Sequence, residues 1–116
     1  MGAFRVMLTM SIHPGREDEF EAAWQGGAAV LAAEPANLGH TLARSAEEPS
    51  TYYITSEWTD ETSFRTYENS AAHLEHRAKL HPYRSGGAMA TMTVVHDLGP
   101  AEQLGPASQL GPAHQR

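Results

Sequence analysis

Histidine is the residue type in this sequence with the widest chemical range. The chain has seven histidines and no cysteine, so thiolate catalysis, disulfides and cysteine-ligated metals are excluded. An imidazole has an unperturbed pKa of about 6.5 and can donate or accept a proton near neutral pH. His73 and His76 lie three residues apart, so they project from the same side of a helix. They are either contacts to a substrate or solvated surface groups.

A metal or nucleotide cofactor is not expected. Catalytic zinc takes three protein ligands. The His-Glu-x-x-His motif is absent, and Glu75 between the two histidines lies on a different face of the helix. The sequence also lacks Gly-x-Gly-x-x-Gly and any phosphate-binding loop. The sequence therefore predicts no cofactor.

Two further polar groups alternate with leucines in the segment 38–45. His40 and Arg44 share one face of this predicted strand, so both enter a pocket if helices cover that face. If the face meets solvent or a partner subunit, both are merely solvated. Tyr52 and Trp58 share one face of the next strand and are either core residues or a platform for a ligand.

The elements that position these residues follow from hydrophobic periodicity. In chain order they are strand 4–12, a helix from Glu17 to about Ala33, strand 38–45, strand 51–58, a helix that starts at 59–61 and carries Phe64 and Tyr67, a short helix from the capping residue Ser70 to Leu80, and strand 88–98.

The order β-α-β-β-α-β predicts the α+β class with a ferredoxin-like fold. Its sheet has four antiparallel strands and both helical segments on one face, with a pocket between the two layers. The other face is uncovered and partly apolar, since Met7 and Thr9 lie on it. A symmetric homodimer packed sheet against sheet would cover that face.

Composition limits the partners and the location. The net charge of −6 argues against nucleic acid, and the absence of an 18-residue apolar run argues against a membrane span. Because residues 1–5 lead into no apolar signal region, we expect a cytoplasmic protein. Three copies of Leu-Gly-Pro-Ala-x-Gln begin at Leu98, so we expect a domain over residues 1–98 and a flexible tail over 99–116.

The segment Ser56-Glu57-Trp58-Thr59-Asp60-Glu61, followed by Phe64, Tyr67, Ser70 and His73, resembles the antibiotic biosynthesis monooxygenase (ABM) superfamily. The phrase Pro35-Ala36-Asn37-Leu38-Gly39 is similar to small stand-alone members associated with aromatic polyketide clusters. The resemblance implies a dimeric α/β barrel with one pocket per subunit. It also implies a monooxygenase without metal or flavin that oxidises a polycyclic phenol to a quinone, with O2 and an aromatic polyketide-like molecule as its partners.

Against that background we expect eight pocket residues. The expected catalytic residues are His73, Arg44, His40 and His76, and the expected substrate-binding residues are Trp58, Tyr67, Phe64 and Tyr52. The family's oxygenases typically place an asparagine where this chain has Ile54. Haem-degrading members have a tryptophan where this chain has Tyr67, so the residues disfavour haem degradation. A polyketide cyclase and a non-catalytic accessory module remain alternatives.

Overall fold

A computed structural model describes residues 3–99 of the chain. Its elements are β1 (Phe4–Ile12), α1 (Glu17–Ala32), β2 (Asn37–Arg44), β3 (Thr51–Trp58), α2 (Glu61–Glu68), α3 (Ala71–Leu80), a 3₁₀ turn (His81–Tyr83) and β4 (Arg84–Thr93). The sheet order is β2-β3-β1-β4, and each neighbouring pair is antiparallel. The predicted α+β ferredoxin-like fold is confirmed. The proposed tail, apart from Gly99, lies outside the described residues.

The core lies between the sheet and the helices because β1 and β3 alternate in polarity. Phe4, Val6 and Met10 of β1 are buried, and their antiparallel partners on β3 point to the same face. Two clusters of buried side chains fill this layer. The first contains Phe4, Val6, Leu31, Trp58, Phe64 and Tyr67. The second contains Met10, Ile12, Phe20, Tyr52, Ile54 and Leu80.

Side-chain caps fix where the two short helices begin. The Asp60 carboxylate accepts a hydrogen bond from the backbone N–H of Ser63 at 2.7 Å, and this bond lowers the pKa of Asp60. The Ser70 hydroxyl accepts from the backbone N–H of His73 at 3.2 Å. Each cap satisfies a helix N–H that has no intrahelical partner. Ser70 therefore sets the position of His73 along α3.

The predicted bounds of the last strand are wrong at both ends. β4 runs from Arg84 to Thr93 instead of 88–98, and it includes Gly86 and Gly87, which pair with β1. A Cβ at Gly87 would lie 3.1 Å from the carbonyl oxygen of Thr9. The glycine at this position permits a close approach between neighbouring strands instead of marking the end of a turn.

No helix covers the second face of the sheet. The pairing register places Met7, Thr9 and Tyr53 on this face, together with Ala88, Ala90 and Met92 of β4. Tyr53 and Met92 are each 36% exposed.

Within residues 3–99, no helix is long and apolar enough to cross a bilayer. The cytoplasmic location stays a prediction.

Candidate active site

A cavity of about 340 Å³ lies between the sheet and the three helices. Its size falls in the range of about 300–1,000 Å³ that is usual for small-molecule sites, and it is partly open to solvent. Apolar residues of the two central strands form its floor, among them Val6, Leu8, Met10 and Ile54. A small molecule with extensive apolar surface fits such a space.

Three histidines are among the polar residues that line this largely apolar cavity. His40 enters from β2, and His73 and His76 enter from α3. All three rings are partly buried. Each has one nitrogen that is buried and has no hydrogen-bond partner: Nε2 of His40, Nδ1 of His73 and Nδ1 of His76. Buried polar atoms without partners are uncommon in folded proteins, so three of them in residues that line one cavity mark it as a candidate site.

Burial keeps these rings neutral. It lowers the pKa of His40 to about 4, and the neighbouring His76 lowers it further in the same direction. Burial is also the main cause of the lowered pKa of His73, with contributions from Arg77 and His76 that Glu68 opposes. The pKa of His76 is lowered by burial and then by Lys79. At pH 7 the cavity therefore presents uncharged imidazoles.

The burial pattern also indicates which nitrogen carries the proton. A buried N–H without an acceptor is rarer than a buried acceptor without a donor. We therefore assign the proton to the other nitrogen, which is Nδ1 in His40 and Nε2 in His73 and His76. Within residues 3–99, none of these three atoms is both buried and without a hydrogen-bond partner. Each ring can then donate an N–H to a ligand, as groups that stabilise an oxyanion do.

Aromatic rings hold the histidines in place and form the walls. The Trp24 and His40 rings lie 4.9 Å apart, and those of Tyr67 and His73 lie 5.0 Å apart. Trp58 packs on Tyr67 at 5.2 Å, and its indole N–H donates to the Ser56 hydroxyl at 2.9 Å. Burial, followed by Glu34, raises the pKa of Tyr67, so its phenol stays protonated. These flat surfaces suit a planar ligand.

The structure brings six of the eight expected residues to the cavity. They are His40, Trp58, Phe64, Tyr67, His73 and His76. Arg44 and Tyr52 are not among the lining residues.

Arg44 and Tyr52 instead belong to a polar group at the far end of β2. The Arg44 Nε donates to the Pro49 carbonyl at 2.8 Å, and its guanidinium lies 3.8 Å from the Glu21 carboxylate. Tyr52 is 1% exposed and donates its hydroxyl proton to Glu21. Burial is the main cause of the raised pKa of Tyr52. The Glu21 carboxylate of α1 holds both side chains away from the cavity, so we assign neither of them a role in the reaction.

The lining residues that sequence reasoning missed include Trp24 and three charged residues, Glu68, Arg77 and Arg84. Trp24 was recognisable, because it lies on the apolar face of α1, but a tryptophan there predicts core packing equally well. Arg84 was missed because strand β4 begins before the predicted start. No carboxylate of residues 3–99 forms an ion pair with Arg84. Its charge is available to an anion in the cavity.

The histidines of the cavity do not form a metal site with one another. In the part of the chain that the structure describes, no three His, Asp or Glu side chains are close enough to share a metal ion.

Lowering the pH should destabilise the fold through His40. Between pH 6.5 and 4 the unfolded chain binds a proton at this residue and the folded chain does not, so the free energy of unfolding falls as the pH falls through this window. Each pKa unit corresponds to about 1.4 kcal/mol, so we expect a loss on the order of 2 kcal/mol after solvent screening. Urea unfolding of the parent chain and of His40→Gln across this window measures the loss: the free energy of unfolding of the parent chain, relative to that of the variant, should fall toward acid pH. The exposed His13→Gln is the control, and a difference independent of pH would contradict the assignment.

Comparison with known proteins places this chain in a family. The family model described as antibiotic biosynthesis monooxygenase matches residues 3–79. The chain is 35% identical to SchA of Streptomyces halstedii over 82 residues, which are 71% of this chain and 22% of SchA. It is 34% identical to the 42.8 kDa protein in the whiE locus of Streptomyces coelicolor over 71 residues, 61% of this chain and 18% of that protein. The chain thus spans about a fifth of the length of these curated relatives.

A solved structure agrees with the fold. SnoaB, a cofactor-independent oxygenase from Streptomyces nogalater, superposes with a TM-score of 0.77 at 24% identity, over 86% of this chain and 100% of SnoaB. The match of the family model over most of the folded region decides the assignment: this chain belongs to the antibiotic biosynthesis monooxygenase family.

Proposed function

We propose that this chain is a cofactor-independent oxygenase that converts a polycyclic phenol, of the kind made by aromatic polyketide biosynthesis, to a quinone. The observation that carries the proposal is the set of three neutral imidazoles around one apolar, aromatic-walled cavity. Family membership and the described activity of SnoaB support the same reaction class. The substrate itself supplies the electrons, so the protein has to bind it, stabilise its anion and limit access of water.

The reaction balances without another reductant. The phenol loses its O–H proton, and the negative charge spreads to the ring carbon opposite. This carbon passes one electron to O2, and the resulting radical and superoxide combine to form a C–O bond. Protonation of the peroxide and loss of water, with cleavage of the O–O bond and of the C–H bond on that carbon, leave a carbonyl. One oxygen atom enters the quinone and the other leaves as water.

The first step is the one that this cavity favours. The N–H groups assigned to His73 and His76 donate to the phenolate oxygen, and the guanidinium of Arg84 adds a positive charge to the same cavity. Hydrogen bonds and charge of this kind lower the pKa of the bound phenol. Since the donating nitrogens already carry protons, the phenol proton leaves to solvent through the open side of the cavity.

The aromatic walls account for the preference for a flat substrate. Trp24, Trp58 and Tyr67 present ring surfaces around the imidazoles. Offset stacking on such rings adds to the free energy of apolar burial. An aromatic polyketide core offers both the flat surface and the phenolic oxygen that this arrangement can bind.

Oxygen uptake with dithranol, a dihydroxyanthrone, tests the proposal. The protein should consume one O2 for each molecule of danthron (dihydroxyanthraquinone) formed, at a rate well above the spontaneous oxidation, and turnover should stop under nitrogen. Catalysed ring closure of an open-chain polyketide under nitrogen, with no catalysed oxygen uptake, would contradict an oxygenase and favour a cyclase. Binding of danthron without accelerated oxygen uptake across a series of polycyclic phenols would favour an accessory module.

We also propose that two copies pair through the uncovered sheet face. Met7, Tyr53 and Met92 make this face partly apolar, and the Arg5–Glu57 ion pair lies on it. A second copy would bury these groups about a two-fold axis. Light scattering should give twice the mass of one chain, and Met7→Lys with Met92→Lys should give monomers. A monomeric parent chain would contradict the pairing.

A further inference from the structure

We propose that Gly27 of α1 is a positioning residue for His76: its missing side chain fixes the ring orientation that leaves Nε2 free for a ligand. The inference rests on the proposed function only in giving His76 a ligand to contact. The geometry between α1 and α3 carries it.

The contact between Gly27 and His76 leaves no space for a side chain. A Cβ built on Gly27 would overlap Nδ1 and Cε1 of the His76 ring and would lie 3.0 Å from its Cγ. Real Cβ atoms do not approach other atoms this closely, so either the helix or the imidazole would have to move. The imidazole is the more mobile of the two because it can change its rotamer.

Nothing else in the backbone requires glycine here. Gly27 lies in the interior of α1 (Glu17–Ala32), and its backbone is not in the left-handed region. Glycine in a helix interior destabilises the helix relative to alanine. The neighbouring Gly26 has nothing within 4 Å of a built Cβ. Of the two glycines, only Gly27 lies where packing leaves no room for a side chain.

This packing decides which edge of the His76 ring a ligand meets. The edge with Nδ1 and Cε1 faces Gly27, which buries Nδ1 without a partner. Nε2, at the next corner of the ring beyond Cε1, is not among the buried atoms without a partner, and the residue lines the cavity. Burial and then Lys79 of α3 lower the pKa of this ring, and the ring in turn contributes to the lowered pKa of His40 of β2 and of His73 of α3. If the ring were displaced, it would become more exposed to solvent and would lose its fixed orientation.

The pair Gly27→Ala and Gly26→Ala tests the inference, since both make the same change in the same helix. In ¹⁵N-resolved NMR of the parent chain and of Gly26→Ala, His76 should show one neutral tautomer with the proton on Nε2. In Gly27→Ala the ring should show both tautomers and a pKa closer to the ordinary value of about 6.5. Affinity for danthron should fall about tenfold in Gly27→Ala only. An unchanged His76 spectrum in Gly27→Ala would overturn the inference.

A double-mutant cycle keeps the test decisive if Gly27→Ala folds poorly. His76→Ala removes the overlapping ring, so Gly27→Ala added to His76→Ala should fold and should cost no further danthron affinity. An equal loss of affinity in both backgrounds would show a general effect on the helix and overturn the inference. Neither readout needs oxygen, so failure of the oxygenase proposal would appear separately, as a parent chain that positions His76 but does not oxidise dithranol.

Discussion

The double variant His73→Phe/His76→Phe should lose at least about a hundredfold in kcat for dithranol oxidation while keeping its fold. Removing one donor from an oxyanion site typically lowers kcat by about 10²–10³-fold. Phenylalanine retains a flat ring, so the packing of His73 against Tyr67 is preserved. The loss can then be attributed to the missing N–H groups. Steady-state oxygen uptake measures kcat, and circular dichroism and thermal unfolding report the fold.

Two observations complete this test. The phenolate absorption band of bound dithranol should appear at higher pH in the double variant, since the donors that stabilise the anion are gone. His13→Phe is the control, because His13 is exposed in the turn between β1 and α1. A double variant that works within twofold of the parent chain would remove both histidines from the mechanism.

Trp58→Ala should reduce the free energy of unfolding by about 3–5 kcal/mol, the usual cost of truncating a buried large aromatic residue. Trp58 is 1% exposed, and its ring centroid lies 5.2 Å from Tyr67 and 5.5 Å from Phe64. The truncation also removes the N–H donor to the Ser56 hydroxyl, which is buried. Urea unfolding measures the loss.

Trp24→Ala provides the matched comparison. Trp24 also lines the cavity but is only partly buried, so its truncation should cost clearly less stability than that of Trp58. Its main effect should be weaker binding of danthron, since it forms a wall beside His40. Equal losses of stability in the two variants would contradict the view that Trp58 belongs to the core and Trp24 to the wall.

The architecture could be predicted from the sequence because its signals are local. Alternation over 4–12 and 51–58 fixes two strands and the face that each buries. Asp60 and Ser70 are N-caps in the structure, as their residue types indicate. The glycine doublet 86–87 gave the wrong start for β4, because glycine marks both turns and close strand contacts and only the tertiary structure tells them apart.

The site was predicted less completely because its membership depends on tertiary distances. Arg44 does share a strand face with His40, as predicted. However, Glu21 of α1 and the carbonyl of Pro49 hold its side chain at the other end of the layer. The contact with Glu21 joins residues more than twenty positions apart, and no local pattern reveals it. The same holds for Arg84, which enters the cavity only through the observed register of β4.

The departure from the family pattern at Ile54 gains a physical meaning from the structure. Ile54 is buried and lines the cavity floor, so this wall offers an apolar surface where an asparagine would offer an amide. The polar groups come from the opposite wall, as the imidazoles of α3. In the account proposed above, His73 and His76 do the work of holding the substrate oxygen.

A crystal structure of the chain with danthron bound tests the central claim most directly. We predict that the planar ligand occupies the cavity between the sheet and the helices, with one oxygen about 2.7–3.2 Å from Nε2 of His73 or His76 and a ring against Trp58 or Tyr67. Danthron bound elsewhere, or bound with both imidazoles turned away from its oxygens, would contradict the account.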